Sequence, residues 1–147
     1  MNFFKYAKCK LKLFFNFFLH FFAKKKQLPI LIKNTYNTEY YYLNGKFHRD
    51  DGPAIVYANG IKEWYKNGKL HREDGPAIEY PDGEKHWFID GRRHRENSPA
   101  SEYPDGTKKW YKNGSLHRID GPAIERPDGS GLFWETGIFG GFQDPSE

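Results

Sequence analysis

Between residues 41 and 132 apolar positions never run long. Aromatic and aliphatic side chains come in short runs, five residues at most in Ala54 to Ala58, are interspersed with Lys and Glu, and are broken every few residues by Gly, Asn or Asp. Alternation with period 2 is the mark of half-buried strands. In Trp64-Tyr65-Lys66-Asn67-Gly68-Lys69-Leu70-His71 the Asn-Gly pair sits between two such stretches. Both central residues of a type I′ turn need positive φ, which Asn and Gly tolerate best, so a two-residue hairpin is predicted. Further on, Ile78-Glu79-Tyr80-Pro81-Asp82-Gly83 carries a second turn. There Pro presets φ and Gly supplies the left-handed residue of a bulged turn. His71-Arg72-Glu73-Asp74-Gly75-Pro76 is polar, ends in Gly-Pro and reads as a loop.

A register follows. If Lys66 faces Lys69, Tyr65 opposes Leu70 and Trp64 opposes His71. If Tyr80 faces Glu84, Ile78 opposes His86. Side chains alternate across a strand, so Tyr65, Leu70, Ile78, Tyr80 and Phe88 share one face, the candidate core. Trp64, His71, Ala77 and Glu79 share the other.

This pattern repeats. Gly-Pro-Ala stands at 52–54, 75–77 and 121–123, with Ser98-Pro99-Ala100 as an altered copy. The step is 23 residues, and other columns keep it: His48, His71, His94 and His117, each followed by Arg; Trp64, Trp87 and Trp110; and the turn glycines Gly45, Gly68, Gly91 and Gly114. Four units are implied, 41–63, 64–86, 87–109 and 110–132, with a fifth begun at Phe133-Trp134. A fixed period of this length means a repeat architecture.

Residues 1–33 look different. Phe14, Phe15, Phe18 and Phe22 are part of a Phe-dense stretch whose polar residues recur every three or four positions, which predicts an amphipathic helix with a wide aromatic face. The apolar run Leu13 to Ala23 is shorter than the roughly 20 residues needed to span a bilayer. Lys24-Lys25-Lys26 follows it where a signal peptide would carry a small-residue cleavage site. Three readings stay open: an anchor lying on an anionic membrane surface through those Phe and Lys residues, a helix covering the open face of the sheet, or biased sequence without a folded role. Residues 34–40 read as a linker, 41–139 as the repeat region and 140–147 as a loose tail.

Composition fits a sheet rather than a helical bundle. Aromatic residues make up 18% of the 147 and hydrophobic residues 37%, with 15 Gly and 9 Pro. The single Cys9 leaves no intrachain disulfide and no cysteine-based zinc site. The net charge of +4 is unevenly placed. Residues 1–40 hold eight Lys against one Glu, residues 41–132 hold 15 basic and 15 acidic residues, and residues 133–147 carry three acids and no base. A repeat region without net charge argues against nucleic acid as the partner.

Catalytic patterns are sparse. His48-Arg49-Asp50 spells a kinase catalytic-loop triplet, but Ile55 stands where the magnesium-binding Asn belongs and no glycine-rich phosphate loop is present. Neighbouring histidines of the column, two strands apart, fall about 9–10 Å from one another, too far to share one metal with bonds near 2 Å. No enzyme activity, metal or cofactor is therefore expected. The tryptophan and histidine columns are the candidate binding residues, either as packing elements of a scaffold or as a ladder for a linear ligand.

Taken together, Trp64 to His71 and the following Gly75-Pro76-Ala77-Ile78-Glu79-Tyr80-Pro81-Asp82-Gly83 resemble the MORN repeat, over residues 41–137. The linker departs from it: His-Arg-x-Asp-Gly-Pro-Ala stands here where MORN units carry His-Gly-x-Gly. The resemblance implies a mainly β fold, an elongated single-layer antiparallel meander of hairpins that scaffolds partners, sometimes at membranes. The expected function is a cytoplasmic, non-enzymatic protein-binding scaffold, peripheral at a membrane through its N-terminal segment. The alternative is an aromatic hairpin solenoid that binds glycans or choline.

Overall fold

The structure, a computed structural model, describes residues 28–135 and 138–144. They form β1 (Ile30–Lys33), β2 (Glu39–Leu43), β3 (Lys46–Phe47), β4 (Ile55–Val56), β5 (Lys62–Glu63), β6 (Tyr65–Lys66), β7 (Lys69–Leu70), β8 (Ile78–Glu79), β9 (Lys85–His86), β10 (Phe88–Ile89), β11 (Arg92–Arg93), β12 (Ser101–Glu102), β13 (Lys108–Lys109), β14 (Tyr111–Lys112), β15 (Ser115–Leu116), β16 (Ile124–Glu125), β17 (Gly131–Glu135) and β18 (Ile138–Gln143). No helix occurs among them. The predicted N-terminal helix, with Phe14, Phe15, Phe18, Phe22 and Lys24 to Lys26, lies outside the described residues.

The predicted turns set the architecture. Asn67 and Gly68 take φ of 54° and 82°, and Asn44-Gly45, Asp90-Gly91 and Asn113-Gly114 do the same. The hairpins they close pair Tyr65 with Leu70 and Lys66 with Lys69, the register expected from sequence. The second turn brings Tyr80 N–H to Glu84 O at 3.0 Å and pairs Ile78 with His86, again as expected.

The strands do not all enter one ladder. A twelve-stranded antiparallel sheet runs in the order β1-β2-β4-β5-β8-β9-β12-β13-β16-β17-β18, with β3 beside β2. The Asn-Gly hairpins β6-β7, β10-β11 and β14-β15 form separate two-stranded ribbons. Backbone hydrogen bonds tie each to the unit before it: Gly68 N–H to Phe47 O, Gly91 N–H to Leu70 O and Gly114 N–H to Arg93 O, each 2.8 Å, with Arg49 N–H to Tyr65 O, Arg72 N–H to Phe88 O and Arg95 N–H to Tyr111 O at 3.1 to 3.3 Å. Trp64 sits between β5 and β6, so one extended segment serves both rows.

Directly opposed residues share a face. One row is Ile55, Glu63, Ile78, His86, Ser101, Lys109 and Ile124. The neighbouring row runs Lys62, Glu79, Lys85, Glu102, Lys108, Glu125, with opposite charges facing one another across every pair. Each such pair favours the native register.

The core lies on both faces rather than on the one expected. Ile55, Ile78 and the fully buried Ser101 lie on the aromatic face, but Ala54, Ala77, Ala100 and Ala123 are also at 0% exposure. Ala77 belongs to the opposite face. On that face the Arg72 guanidinium lies over Trp64 and bonds Pro76 O and Glu79, so the face judged the more polar from sequence also carries packed structure. The aromatic face remains half-exposed, with Tyr42, Phe47 and Tyr65 in contact at centroid distances of 4.7 and 5.3 Å.

Both ends differ from expectation. Ile30 to Lys33, assigned to the N-terminal segment, form β1 and pair with β2, and the linker is the Asn34–Thr38 turn. Asn34 Oδ1 accepts the N–H groups of Tyr36 and Thr38 and holds that turn. The glycine-rich stretch at 140–143, read as a loose tail, belongs to β18. A bulge between Phe133 and Trp134 absorbs the register shift, and Gly141 takes a φ of 140°.

Candidate functional site

The loops joining the two rows are the most elaborate local structure. In the second unit the Arg72 guanidinium lies over the Trp64 ring, 4.1 Å from its centroid. Its Nη1 donates to Pro76 O at 3.2 Å and to Glu79 Oε1 at 2.8 Å, and its Nε donates to Asp74 Oδ1 at 3.0 Å. One side chain thus joins the sheet, the hairpin segment and both ends of the loop. Arg72 holds the Asp74 carboxyl below its ordinary pKa, and Arg49 does so for Asp51.

The clamp recurs. Arg95 lies 4.0 Å over Trp87 and bonds Pro99 O and Glu102. Arg118 lies 4.0 Å over Trp110 and bonds Asp120, Pro122 O and Glu125. Arg49 lies 4.0 Å over Tyr41 and bonds Asp51 and Pro53 O. Gly in Gly-Pro-Ala serves the clamp: a Cβ at Gly75 would stand 2.8 Å from Arg72 Cζ. Trp64, Trp87 and Trp110 are half-buried, and each gives one ring face to its arginine.

The histidines link successive units. His48 Nδ1 accepts the N–H of Asn67 at 3.1 Å, His71 Nδ1 that of Asp90 at 3.2 Å, and His94 Nδ1 that of Asn113 at 3.2 Å. Each bond reaches 19 residues ahead to the first residue of the next hairpin turn. Nε2 of these rings faces Asp50, Glu73 and Glu96 respectively, and His71 Nδ1 also stands 3.1 Å from Asp90 Oδ1. His117 bonds Trp110 O through its own N–H, at 3.1 Å.

The structure therefore pairs the Trp and His columns across each segment, as the 3.0 Å bond from His71 N–H to Trp64 O shows. It does not bring the four histidines together. No group of three or more His, Cys, Asp or Glu side chains with metal-binding proximity occurs among the described residues. Sequence reasoning missed the arginine column as the organiser. Its signal was present: Arg follows His at every 23-residue step.

Between successive loops lie clefts. The first, of about 690 Å³, lies between the loops of units one and two, with Trp64 and Lys66 in its lining. Another, of about 460 Å³, lies between units three and four, with Trp110 and Lys112 at the equivalent places.

A second cluster marks the aromatic face. His86 is buried, with Nδ1 3.0 Å from Ser101 Oγ and Nε2 2.8 Å from Glu84 Oε1. Tyr80 and Tyr103 meet its ring edge-on, at 5.8 and 5.6 Å. Burial pushes its pKa below the ordinary histidine value, nearby Arg93 adds to this, and Glu84 opposes it. Burial and the Glu63 carboxylate raise the phenol pKa of Tyr65 and Tyr57.

The fold and these sites define a repeat protein built of β-hairpins in one long antiparallel meander. No protein-family model matches the chain, and no curated protein is significantly similar to it.

Proposed function

We propose that this chain is a MORN-like, non-enzymatic repeat module whose row of loops binds a protein partner, and that its N-terminal segment holds it at the cytoplasmic surface of an anionic membrane. One observation carries the scaffold reading: an arginine-stacked polar loop is presented four times at a 23-residue step, and in the first three copies a histidine links it to the next hairpin turn. Quasi-one-dimensional repetition of this kind suits extended binding surfaces. Glycan or choline stacking has less support, because an arginine already occupies one face of Trp64, Trp87 and Trp110.

Cross-linking of the full chain to a captured partner tests the scaffold reading. Cross-links concentrated in residues 48–53, 71–76, 94–99 and 117–122 are expected; cross-links spread evenly over the chain count against it. A saturable tryptophan fluorescence change with choline or an oligosaccharide would favour the alternative instead. Co-sedimentation with phosphatidylserine vesicles tests the membrane half. Replacing Lys24, Lys25 and Lys26 together by Glu should abolish it, and binding equal to the unaltered chain would refute it.

A further inference from the structure

The loops of units three and four frame a cleft that keeps its cations and has lost half of its carboxylates. The cleft between units one and two is lined by Arg49, Arg72 and Lys66 and by four acids, Asp50, Asp51, Glu73 and Asp74. Its counterpart keeps Arg95, Arg118 and Lys112 but has only Glu96 and Asp120. Asn97 stands in the place of Asp51 and Asp74, and Ile119 in the place of Asp50 and Glu73.

The two remaining acids are engaged. Glu96 faces His94 at 3.2 Å, and Asp120 accepts from Arg118 Nε at 3.4 Å. In the three sister loops an aspartate oxygen sits 3.0 to 3.4 Å from the arginine Nε. Arg95 has no such partner; its bonds run from Nη1 to Pro99 O and Glu102. Lys112 is exposed and makes no ion pair among the described residues. Ser98 accounts for the different loop. Its Cβ cannot occupy the place where Gly75 packs against Arg72, and Asn97 takes a φ of 56° that its counterparts do not share. Ile119, 81% exposed, lines the cleft beside these cations.

The geometry points to this cleft as the docking place for an acidic segment of the protein partner. A carboxylate of that segment takes the position vacated by aspartate on Arg95, a second one meets Lys112, and an adjoining apolar side chain covers Ile119. Charge-assisted pairing of this kind supplies orientation and partner choice. The inference rests on the scaffold reading above and narrows it to one cleft.

The test titrates the full chain with the blocked peptide Leu-Asp-Glu-Asp-Leu, its amide counterpart Leu-Asn-Gln-Asn-Leu, and inorganic phosphate, read by NMR at Ile119 and Lys112. Saturable shifts with the acidic peptide, at least about tenfold weaker with the amide peptide, are expected. The double variant Asn97→Asp with Ser98→Gly, and separately Ile119→Glu, rebuild the sister cleft from residues that the other units already carry. Each should weaken the acidic peptide by a similar factor. Absence of shifts, equal binding of both peptides, or unchanged binding by the rebuilt variants would overturn the inference. Phosphate binding as tightly as the peptide would overturn it too, leaving a small-anion site. The partner-capture experiment separates the two proposals: a partner held equally by the unaltered chain and the rebuilt variants refutes the cleft and leaves the scaffold standing.

Discussion

The loops of units two and three differ at two residues, and the difference shows what holds this fold. Loop two has Asp74 and Gly75; loop three has Asn97 and Ser98. The aspartate bond to the arginine is lost, and the backbone at Asn97 turns into the left-handed region. Yet Arg95 stays 4.0 Å over Trp87 and keeps its bonds to Pro99 O and Glu102, and Ala100 remains fully buried. The arginine stack, the proline carbonyl and the sheet glutamate thus suffice to seat the loop. The aspartate, out in water, only trims it.

The largest expected effect comes from the fully buried alanine that follows both loops. Its N–H bonds His86 O and its carbonyl receives Trp64 N–H, both at 2.8 Å, and it has no exposed surface. Ala77→Leu should destabilise the chain by about 1–3 kcal/mol through overpacking, measured by urea unfolding. Ala100→Leu should match it if the loops are equivalent beneath their surface.

Removing the clamp comes next. Arg72→Ala loses a cation–π stack and charge-assisted hydrogen bonds and should cost about 2 kcal/mol. Arg95→Ala should cost nearly as much. A much smaller loss at Arg95 would mean that the aspartate matters more than the stack. Gly75→Ala should cost about 1 kcal/mol, since its Cβ meets Arg72, whereas Ser98→Gly should be neutral or stabilising.

The smallest effect is a pH dependence. His86 has its folded pKa depressed below 6.5 by burial, with Arg93 and Lys109 adding to the shift and Glu84 opposing it. Above about pH 6.5 the ring is neutral folded or unfolded and its contribution is complete. As the pH falls below 6.5 the unfolded chain takes up the proton first, so stability declines until the folded pKa is reached. Urea midpoints between pH 7.5 and 5 should therefore fall, and the slope should flatten in His86→Gln.

Much of the fold was legible because turn chemistry is local. Asn67-Gly68 and Asp82-Gly83 fix loop length and thereby register, and period-2 alternation then assigns faces. The repeat multiplied that signal fourfold. What could not be read was set by contacts across the chain. Nothing local to Arg72 indicates that it stacks on Trp64, eight residues earlier, or that it also bonds Glu79. The link from His48 to Asn67 spans 19 residues and depends on how successive hairpins sit. β1 and β18 were missed for another reason. They lie outside the period, and the glycines of β18 disfavour a strand unless a paired neighbour imposes it. For the candidate site, the Trp and His columns stood out by residue type, whereas Arg95, Asn97 and Ile119 gain meaning only when two clefts are compared.

Native-state hydrogen exchange tests the central claim most directly: that the units are equivalent modules joined through the alanine and tryptophan positions. The amides of Ala54, Ala77 and Ala100 donate to Glu63, His86 and Lys109 carbonyls, and those of Trp64, Trp87 and Trp110 to the next alanine, all at 2.8–2.9 Å. Protection maxima at these six amides, recurring at the 23-residue step, are the predicted result. Fast exchange there, or protection without that period, would contradict the account.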